Sequence, residues 1–224
     1  MKQLSRMITA HNCFCSFLCN LVSLVLMPAF LIPINVIVMR SNCYISLVVT
    51  MTILAFYTIF LDYYSFNGIT SKGFFLGMIK NSPYTARNLK YAVLADQIRR
   101  FIQIVIPPIM SVLIAASAHI KGIDIKFLVF TLTMIFLNYS GTTCLLTIMR
   151  NILTDITYAL ISIPIASILG VLNACMMFLF IHSSIHIPFI IWLLITFILS
   201  VMISIYVFRY TTGRCLANIQ GDLT

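Results

Sequence analysis

The sequence contains no glutamate and only five acidic residues in total, and its charged residues make up 8% of the 224 positions. Soluble domains average about 25% charged residues. A water-facing surface cannot be covered from so small a supply, whereas 61% of the residues are hydrophobic. The sequence therefore excludes an ordinary soluble domain and predicts that lipid is the solvent for most of the chain.

The scarcity of acids also excludes the usual catalytic sites of membrane enzymes. Membrane hydrolases need clustered acids, histidines or a Cys/His pair with an orienting group, and the five aspartates are far apart in the sequence. His182 and His186 are four residues apart with no acid beside them, which is too few ligands for a metal site. The seven cysteines form no CxxC pair, and most lie in apolar runs as small buried side chains do. We expect neither an enzyme nor a metal-binding protein.

Nucleotides and nucleic acids are not expected as ligands of this chain. The sequence has no GxxxxGKS/T motif, so it lacks the loop that surrounds nucleotide phosphates. Its formal net charge is +9, but the basic residues lie between apolar runs. That distribution indicates contact with anionic lipid headgroups and control of membrane topology rather than binding of nucleic acid.

Six apolar runs are each long enough to cross a bilayer as a helix, which takes about 20 residues. The predicted spans are residues 13–39, 43–66, 101–118, 127–149, 156–181 and 187–208. The sequence thus predicts an all-α integral membrane protein with a single transmembrane domain over residues 1–224. Pro28 and Pro33 should kink or unwind the first span, and Pro107 and Pro108 should break the third.

Residues 1–12 precede the first span and carry Leu4, Met7 and Ile8 at helical spacing, with basic residues elsewhere on the helical wheel. This pattern predicts an amphipathic elbow helix that lies in the membrane interface. A frayed basic terminus fits the same residues, and the pattern does not decide between the two. A signal peptide is not expected, because no small-residue cleavage site follows the apolar run.

Lysine and arginine are distributed unevenly about the six predicted spans. Eleven of the fourteen fall on the side of the two termini, and six of these lie between Asn67 and Arg100. Only Arg40, Lys121 and Lys126 fall on the other side. Loops rich in lysine and arginine stay in the cytoplasm, so we predict a cell-membrane protein with both termini cytoplasmic.

The long stretch from Asn67 to Arg100 is predicted to be a cytoplasmic loop with two helical parts. Its first part has large apolar side chains at helical spacing, namely Phe74, Phe75, Met78 and Ile79. Pro83 should end that helix, and Thr85 should cap the next one, which runs on into the third span. Such an apolar face fits either a groove on a partner protein or the lipid interface, and the residues alone leave both open.

Two acids near this stretch are expected to pair with basic residues. Asp62 lies near the end of the second span, about one turn before the loop, and is either a tolerated interfacial acid or a partner for a basic residue of that loop, of which we favour the second. Asp96 and Arg100 are four residues apart on the predicted helix and should form an ion pair.

A ridge of small residues runs along the fifth predicted span at a spacing of four, comprising Ser162, Ala166, Gly170 and Ala174. Small residues let membrane helices approach closely. The ridge predicts a helix–helix contact, either within the bundle or between two protomers, although small residues are common enough in membrane helices to produce such spacing by chance.

The loop resembles that of a known transporter family. Lys72-Gly73, an apolar helical turn, Pro83, Thr85 and then Lys90 ahead of the third span are similar to the cytoplasmic loop of bacterial ABC-2-type permeases. The resemblance implies a coupling helix that docks on a separate ATP-binding subunit, which would bind the ATP and magnesium. The implied docking residues are Phe74, Phe75, Met78, Ile79, Pro83 and Thr85. It also implies a second permease subunit, identical or different.

We therefore expect the membrane-spanning permease subunit of an ATP-driven exporter, with a peptide, drug or lipid-like substrate that the sequence does not identify. The alternative is a small membrane anchor, assembly or immunity protein that binds a partner through the same loop without transport. Asn20, Asn138 and Asn173 fit two roles equally well, since an asparagine in a span can line a path or satisfy an internal hydrogen bond.

Overall fold

The computed structural model describes residues 21–70, 85–152, 155–182 and 189–221, and every regular element in these ranges is a helix. A π-helical turn, Val22–Leu26, leads into α1 (Met27–Met39), which is followed by α2 (Cys43–Thr70), α3 (Thr85–Ser117), α4 (Ile125–Ile152), α5 (Asp155–His182) and α6 (Phe189–Gly221). Six of the described segments are long and apolar enough to cross a bilayer. By the length and composition of these helices, the chain is a multi-pass membrane protein. The predicted elbow helix at residues 1–12 lies outside the described ranges.

The π-helical turn explains how the first span accommodates its prolines. Pro28 cannot donate a backbone hydrogen bond, and its ring crowds the carbonyl four residues earlier. The widened turn Val22–Leu26 lies at that position, while the α-helix continues past Pro33 without interruption. The unwinding expected from the sequence is therefore confined to the turn before Pro28.

The predicted break at Pro107 and Pro108 is wrong, because α3 continues as one helix from Thr85 to Ser117. Two adjacent prolines remove only two backbone donors, those that would serve the carbonyls of Gln103 and Ile104. Membrane helices tolerate such losses. The third span is therefore helical on both sides of its proline pair and through it.

Several predicted boundaries also change. The helix expected to run from residue 86 into the third span is confirmed, since α3 begins at Thr85, but its apolar span begins at Lys90 rather than at residue 101. The short tail expected after residue 208 continues as helix to Gly221. At 1.5 Å per residue, α2 and α3 are about 42 and 50 Å long, whereas the hydrocarbon core is about 30 Å thick. Both helices are therefore longer than the bilayer requires.

α4 lies at the centre of the bundle and packs against α2, α3, α5 and α6. In its apolar span 56% of the residues are buried, against 17% in α6, which lies at the edge. Leu47 and Met51 of α2 and Phe130 and Met134 of α4 belong to the main buried cluster. The apolar side chains that α5 and α6 expose, such as Val171 and Met202, fit contact with lipid.

α2 and α3 run antiparallel, and their ends meet at the turn that leads to α4. The Cys43 thiol lies 3.4 Å from the carbonyl oxygen of Lys121, just beyond the end of α3. Gly122 supplies the positive φ of 94° that this turn needs. Asp124 then caps α4, because its carboxylate accepts a hydrogen bond from the Phe127 amide at 2.7 Å. We call this the turn end of the bundle, and the opposite end, towards residues 71–84, the loop end.

Candidate functional site

Four polar side chains occupy one face of α3 around the middle of the helix. Asp96, Arg99, Arg100 and Gln103 are spaced three, one and three residues apart, which places them within an arc of about 100° on the helix. All four are buried, with relative exposures of 2%, 5%, 2% and 1%. Charged residues inside a membrane bundle are rare and usually functional, so this face is the candidate site.

The carboxylate of Asp96 lies between two guanidinium groups. Nη2 of Arg99 donates to Oδ1 of Asp96 at 2.9 Å, and Nη2 of Arg100 donates to Oδ2. The Asp96–Arg100 pair expected from the sequence is confirmed, whereas the role of Arg99 and the burial of all three residues were missed. We call Asp96, Arg99 and Arg100 the buried charge cluster.

The depth of the cluster follows from the length of α3. Arg99 and Arg100 lie about 26–27 Å along the helix from Ser117 at the turn end, close to the far boundary of a hydrocarbon core about 30 Å thick. Charges cost less near that boundary than at the middle of the bilayer. The sequence interpretation placed these residues in a water-exposed loop, and the burial of the helix from Ala92 onward corrects that placement.

Neighbouring polar contacts connect α3 to α2 and α6, and through α6 to α4. Nε2 of Gln103 donates to the Thr58 hydroxyl of α2 at 3.2 Å, next to the charge cluster. On another face, Nε2 of Gln97 donates to the Ser204 carbonyl of α6 at 3.2 Å. The Ser204 hydroxyl in turn lies 3.2 Å from the phenol oxygen of Tyr139 on α4. Movement of this part of α3 would therefore disturb contacts with α2 and α6 together.

The cluster retains unused hydrogen-bonding capacity. Nε and Nη1 of Arg99 and Oε1 of Gln103 are buried and have no hydrogen-bond partner among the side chains that the structure describes. A buried donor or acceptor left in this state costs about 1–3 kcal/mol, and more when it is charged.

A second polar group joins α2, α4 and α5 away from the charges. Nδ2 of Asn138 donates to Oδ1 of Asn173 at 2.9 Å, and Nδ2 of Asn173 donates to Oδ1 of Asn138 at 3.1 Å. Asn173 also donates to the Thr52 hydroxyl at 3.4 Å, and Asn138 to the Met134 carbonyl at 2.8 Å. Of the two roles left open for these asparagines, the internal hydrogen bond is therefore the one observed, while Asn20 lies outside the described residues.

The small-residue ridge of α5 lies partly against α2. Ser162 and Ala166 are buried, and Gly170 faces Thr52, so these three lie in contacts within the bundle. Ala174 is exposed, and the buried position at that level of the helix is Asn173. The ridge therefore ends at Gly170, and a contact between protomers remains a prediction for the exposed surface at Ala174.

Gly170→Leu is expected to destabilise the bundle. A Cβ atom at this position would lie 3.0 Å from Cγ2 of Thr52, and the remaining leucine atoms need room that the interface lacks. Overpacking of this kind costs about 1–3 kcal/mol, and displacement of Thr52 would also weaken its hydrogen bond with Asn173. Thermal unfolding of the purified protein in detergent measures the effect.

Gly213→Leu is the matched control for that substitution. Gly213 also lies on a membrane helix, but nothing stands within 4 Å of a Cβ built there. The melting temperature of Gly170→Leu should fall well below that of Gly213→Leu. Equal melting temperatures for the two variants would mean that the α2–α5 contact at Gly170 is not close-packed.

The other residues singled out in the sequence lie elsewhere. Phe74, Phe75, Met78, Ile79 and Pro83 fall in residues 71–84, outside the described ranges, and Thr85 is the first residue of α3. His182 is exposed at the end of α5 and stacks on Phe178 with ring centroids 4.2 Å apart. The described residues contain no group of three or more side chains suited to metal binding.

Comparisons of the chain with protein-family models, with curated proteins and with solved structures find no significant match.

Proposed function

We propose that this chain is the permease subunit of an ATP-driven exporter of the ABC-2 type. The observation that carries the proposal is the length of α2 and α3. If both helices enter the bilayer at the turn end, about eight residues of α2 and about thirteen of α3 extend beyond the hydrocarbon core. These extensions flank residues 71–84, the stretch that resembles a coupling loop. With a rigid helical extension on each side, a movement of the loop would also displace α2 and α3 within the bundle.

The proposed mechanism uses the partner's ATP cycle to move this loop. The ATP-binding subunit would bind two conformations of the permease with different affinities, and that difference supplies the free energy of the change. Displacement of residues 71–84 would move the ends of α2 and α3, and the polar contacts of Gln103 and Gln97 would pass the movement to their neighbours. The chain itself has no nucleotide site in this proposal, so ATP and magnesium belong to the partner.

The proposal includes a cytoplasmic location for both termini and for residues 71–84, with residues 1–12 as an elbow helix in the interface. In a cysteine-free variant, a single cysteine placed between residues 71 and 84 should be protected from an impermeant thiol reagent in intact cells. It should react once the cells are opened. A cysteine in place of Lys121, at the turn end, is the control and should react in intact cells. Labelling with the opposite pattern would reverse the orientation.

Affinity purification from native membranes tests the proposed partner. The chain should retain an ATP-binding cassette protein in a stoichiometric amount, together with ATP hydrolysis. The alternative, a membrane anchor, assembly or immunity protein, requires no such partner. Recovery of the chain without any ATP-binding protein under gentle solubilisation would favour that alternative.

A further inference from the structure

We propose that Arg99 and Gln103 form a binding site for a carboxylate that is linked through an amide group to an apolar chain. An acylated amino acid and the carboxyl end of an apolar peptide both carry this chemistry. The anionic oxygens accept hydrogen bonds from Arg99, and the amide N–H donates to Gln103. Binding requires this chain alone, so the proposal does not depend on an ATP-binding partner. Within the proposed function, such a ligand is a candidate substrate.

Arg99 provides the donors of the site. Its Nη2 donates to Oδ1 of Asp96 at 2.9 Å, and its side chain is only 5% exposed. The other two nitrogens, Nε and Nη1, are buried and have no hydrogen-bond partner among the residues that the structure describes. Arginine stays charged in proteins, so these N–H groups remain donors at any physiological pH. Asp96 thus holds in place a charged group whose remaining nitrogens suit an anionic ligand.

The contacts around Gln103 decide which end of its amide lacks a partner. The Thr58 hydroxyl donates its proton to the Leu54 carbonyl at 2.6 Å, so it can only accept a hydrogen bond from Gln103. Nε2 of Gln103 therefore faces Thr58, at 3.2 Å, and the amide cannot be turned round without losing this bond. Oε1 is the buried atom without a partner in the described part of the chain. The site therefore offers an acceptor beside the donors of Arg99.

The depth of the two side chains specifies the order of groups in the ligand. Arg99 and Gln103 are four residues apart on α3, which makes them neighbours about 5–6 Å apart on one face. Arg99 lies near the boundary of the hydrocarbon core at the loop end, and Gln103 lies one turn deeper. A ligand in this half of the bilayer would place its anion at Arg99, a donor beneath it at Gln103, and its apolar chain in the core. A carboxylate next to an amide N–H has this order, whereas the groups beneath a phospholipid phosphate are ester oxygens, which only accept.

The asparagine pair shows how this bundle treats a buried amide that serves packing alone. Asn138 and Asn173 are hydrogen-bonded to each other and to neighbouring groups, and neither has a buried side-chain atom without a partner. Exceptions to such pairing are rare in proteins and call for an explanation. Single atoms of this kind occur elsewhere in the bundle, at Asn35 and Thr143. Arg99 and Gln103 differ from these because they combine charged donors and an acceptor on one helix face.

Thermal unfolding of the purified chain in a neutral detergent, with and without added ligand, tests the proposal. The probes are N-dodecanoylglycine and N-acetyl-trileucine, which share the amide-linked carboxylate on an apolar group. At a concentration far above its Kd, a probe that binds the folded chain alone should raise the melting temperature by roughly 5 °C. N-dodecanoylglycinamide lacks the anion and dodecanoate lacks the N–H, so both should raise it clearly less. The larger shift of the two probes at equal concentration identifies the source, acylated amino acid or peptide.

Two glutamine variants form a matched pair. Gln103→Met and Gln97→Met each remove one Nε2 hydrogen bond of 3.2 Å to a neighbouring helix, but Gln97 lies on another face of α3. The shift with N-dodecanoylglycine should fall to the level of dodecanoate in Gln103→Met and persist in Gln97→Met. Arg99→Lys keeps a positive charge without the guanidinium N–H groups and should also reduce the shift. If Arg99→Lys yields no folded protein, the glutamine pair decides the test.

The absence of a shift with both amide-linked carboxylates would overturn the proposal. Equal shifts with N-dodecanoylglycine and its glycinamide would overturn it too, because the apolar chain would then account for binding. The same holds for equal shifts in Gln103→Met and Gln97→Met. Since the purified chain is measured without an ATP-binding protein, these results leave the proposed function to its own test, and failure to recover an ATP-binding protein leaves the ligand site to this one.

Discussion

Asp96→Asn is expected to remove most of the folded protein. The substitution leaves the guanidinium groups of Arg99 and Arg100 buried without the carboxylate that lies between them. Breaking a buried ion pair by removing one partner costs about 3–5 kcal/mol, a large part of the roughly 5–15 kcal/mol that stabilises a typical protein. The folded yield after detergent extraction and the melting temperature of what remains measure this loss.

Asp124→Asn is the control, because asparagine can still accept the capping hydrogen bond from Phe127. It should fold with nearly the stability of the unaltered chain. Combining Asp96→Asn with Arg100→Gln should recover some folded protein, because one of the two buried guanidinium charges is then removed. If Asp96→Asn matched Asp124→Asn in yield and melting temperature, the ion pairs would contribute nothing to the stability of the bundle.

The second large effect is expected from Phe74→Ala combined with Phe75→Ala. In the proposed orientation Phe74 and Phe75 lie in a cytoplasmic loop, and neighbouring aromatic residues exposed to water usually mark a contact. Aromatic anchors at an interface cost roughly 2 kcal/mol or more each when they are truncated, so the pair should weaken partner binding by about a thousandfold. The variant should insert into the membrane normally but lose the ATP-binding protein and transport. Co-purification and ATP hydrolysis measure both losses.

Phe30→Ala combined with Phe178→Ala provides a matched control. Both side chains are exposed on membrane helices, with relative exposures of 67% and 60%, and so fit contact with lipid. This variant should retain the partner. If the variant at positions 74 and 75 also kept a full complement of ATP-binding protein with unchanged hydrolysis, the coupling-helix assignment would be wrong and the membrane-anchor alternative would take its place.

The membrane helices could be predicted because their signal is the simplest one that a sequence carries. A run of about 20 apolar residues has few alternatives to a membrane helix, and the predicted spans at 43–66 and 156–181 agree closely with α2 and α5. The residues at which the membrane spans begin and end were less predictable. The polar residues from Lys90 to Arg100 were expected on a helix within a cytoplasmic loop, although the bundle buries several of them.

The burial of the candidate site and the role of Arg99 in it were missed for a physical reason. Net charge and hydropathy treat every residue of a stretch alike, whereas a helix places residues at a spacing of three and four on one face. The spacing of Asp96, Arg99, Arg100 and Gln103, directly ahead of an apolar run, was the available indication of a shared face. Which helix that face would meet depends on the packing of α2 against α3, and no local pattern in the sequence specifies it.

The proline pair and the small-residue ridge also show how far a local sequence pattern predicts the structure. Pro107 and Pro108 remove two hydrogen bonds, but α3 remains helical through both positions. The ridge was predicted from spacing alone, and the structure ends it at Gly170 because Asn173, rather than Ala174, lies in the α2–α4–α5 contact. For the ridge, contacts between helices therefore decide the outcome of a local pattern.

Photo-crosslinking at position 75 tests most directly whether this chain works through an ATP-binding partner. A photoreactive phenylalanine analogue is incorporated in place of Phe75, and in a parallel sample in place of Phe30, and native membranes are then irradiated. The account predicts an adduct between the chain and an ATP-binding cassette protein from position 75 and none from position 30. Adducts with lipid alone from both positions would contradict it.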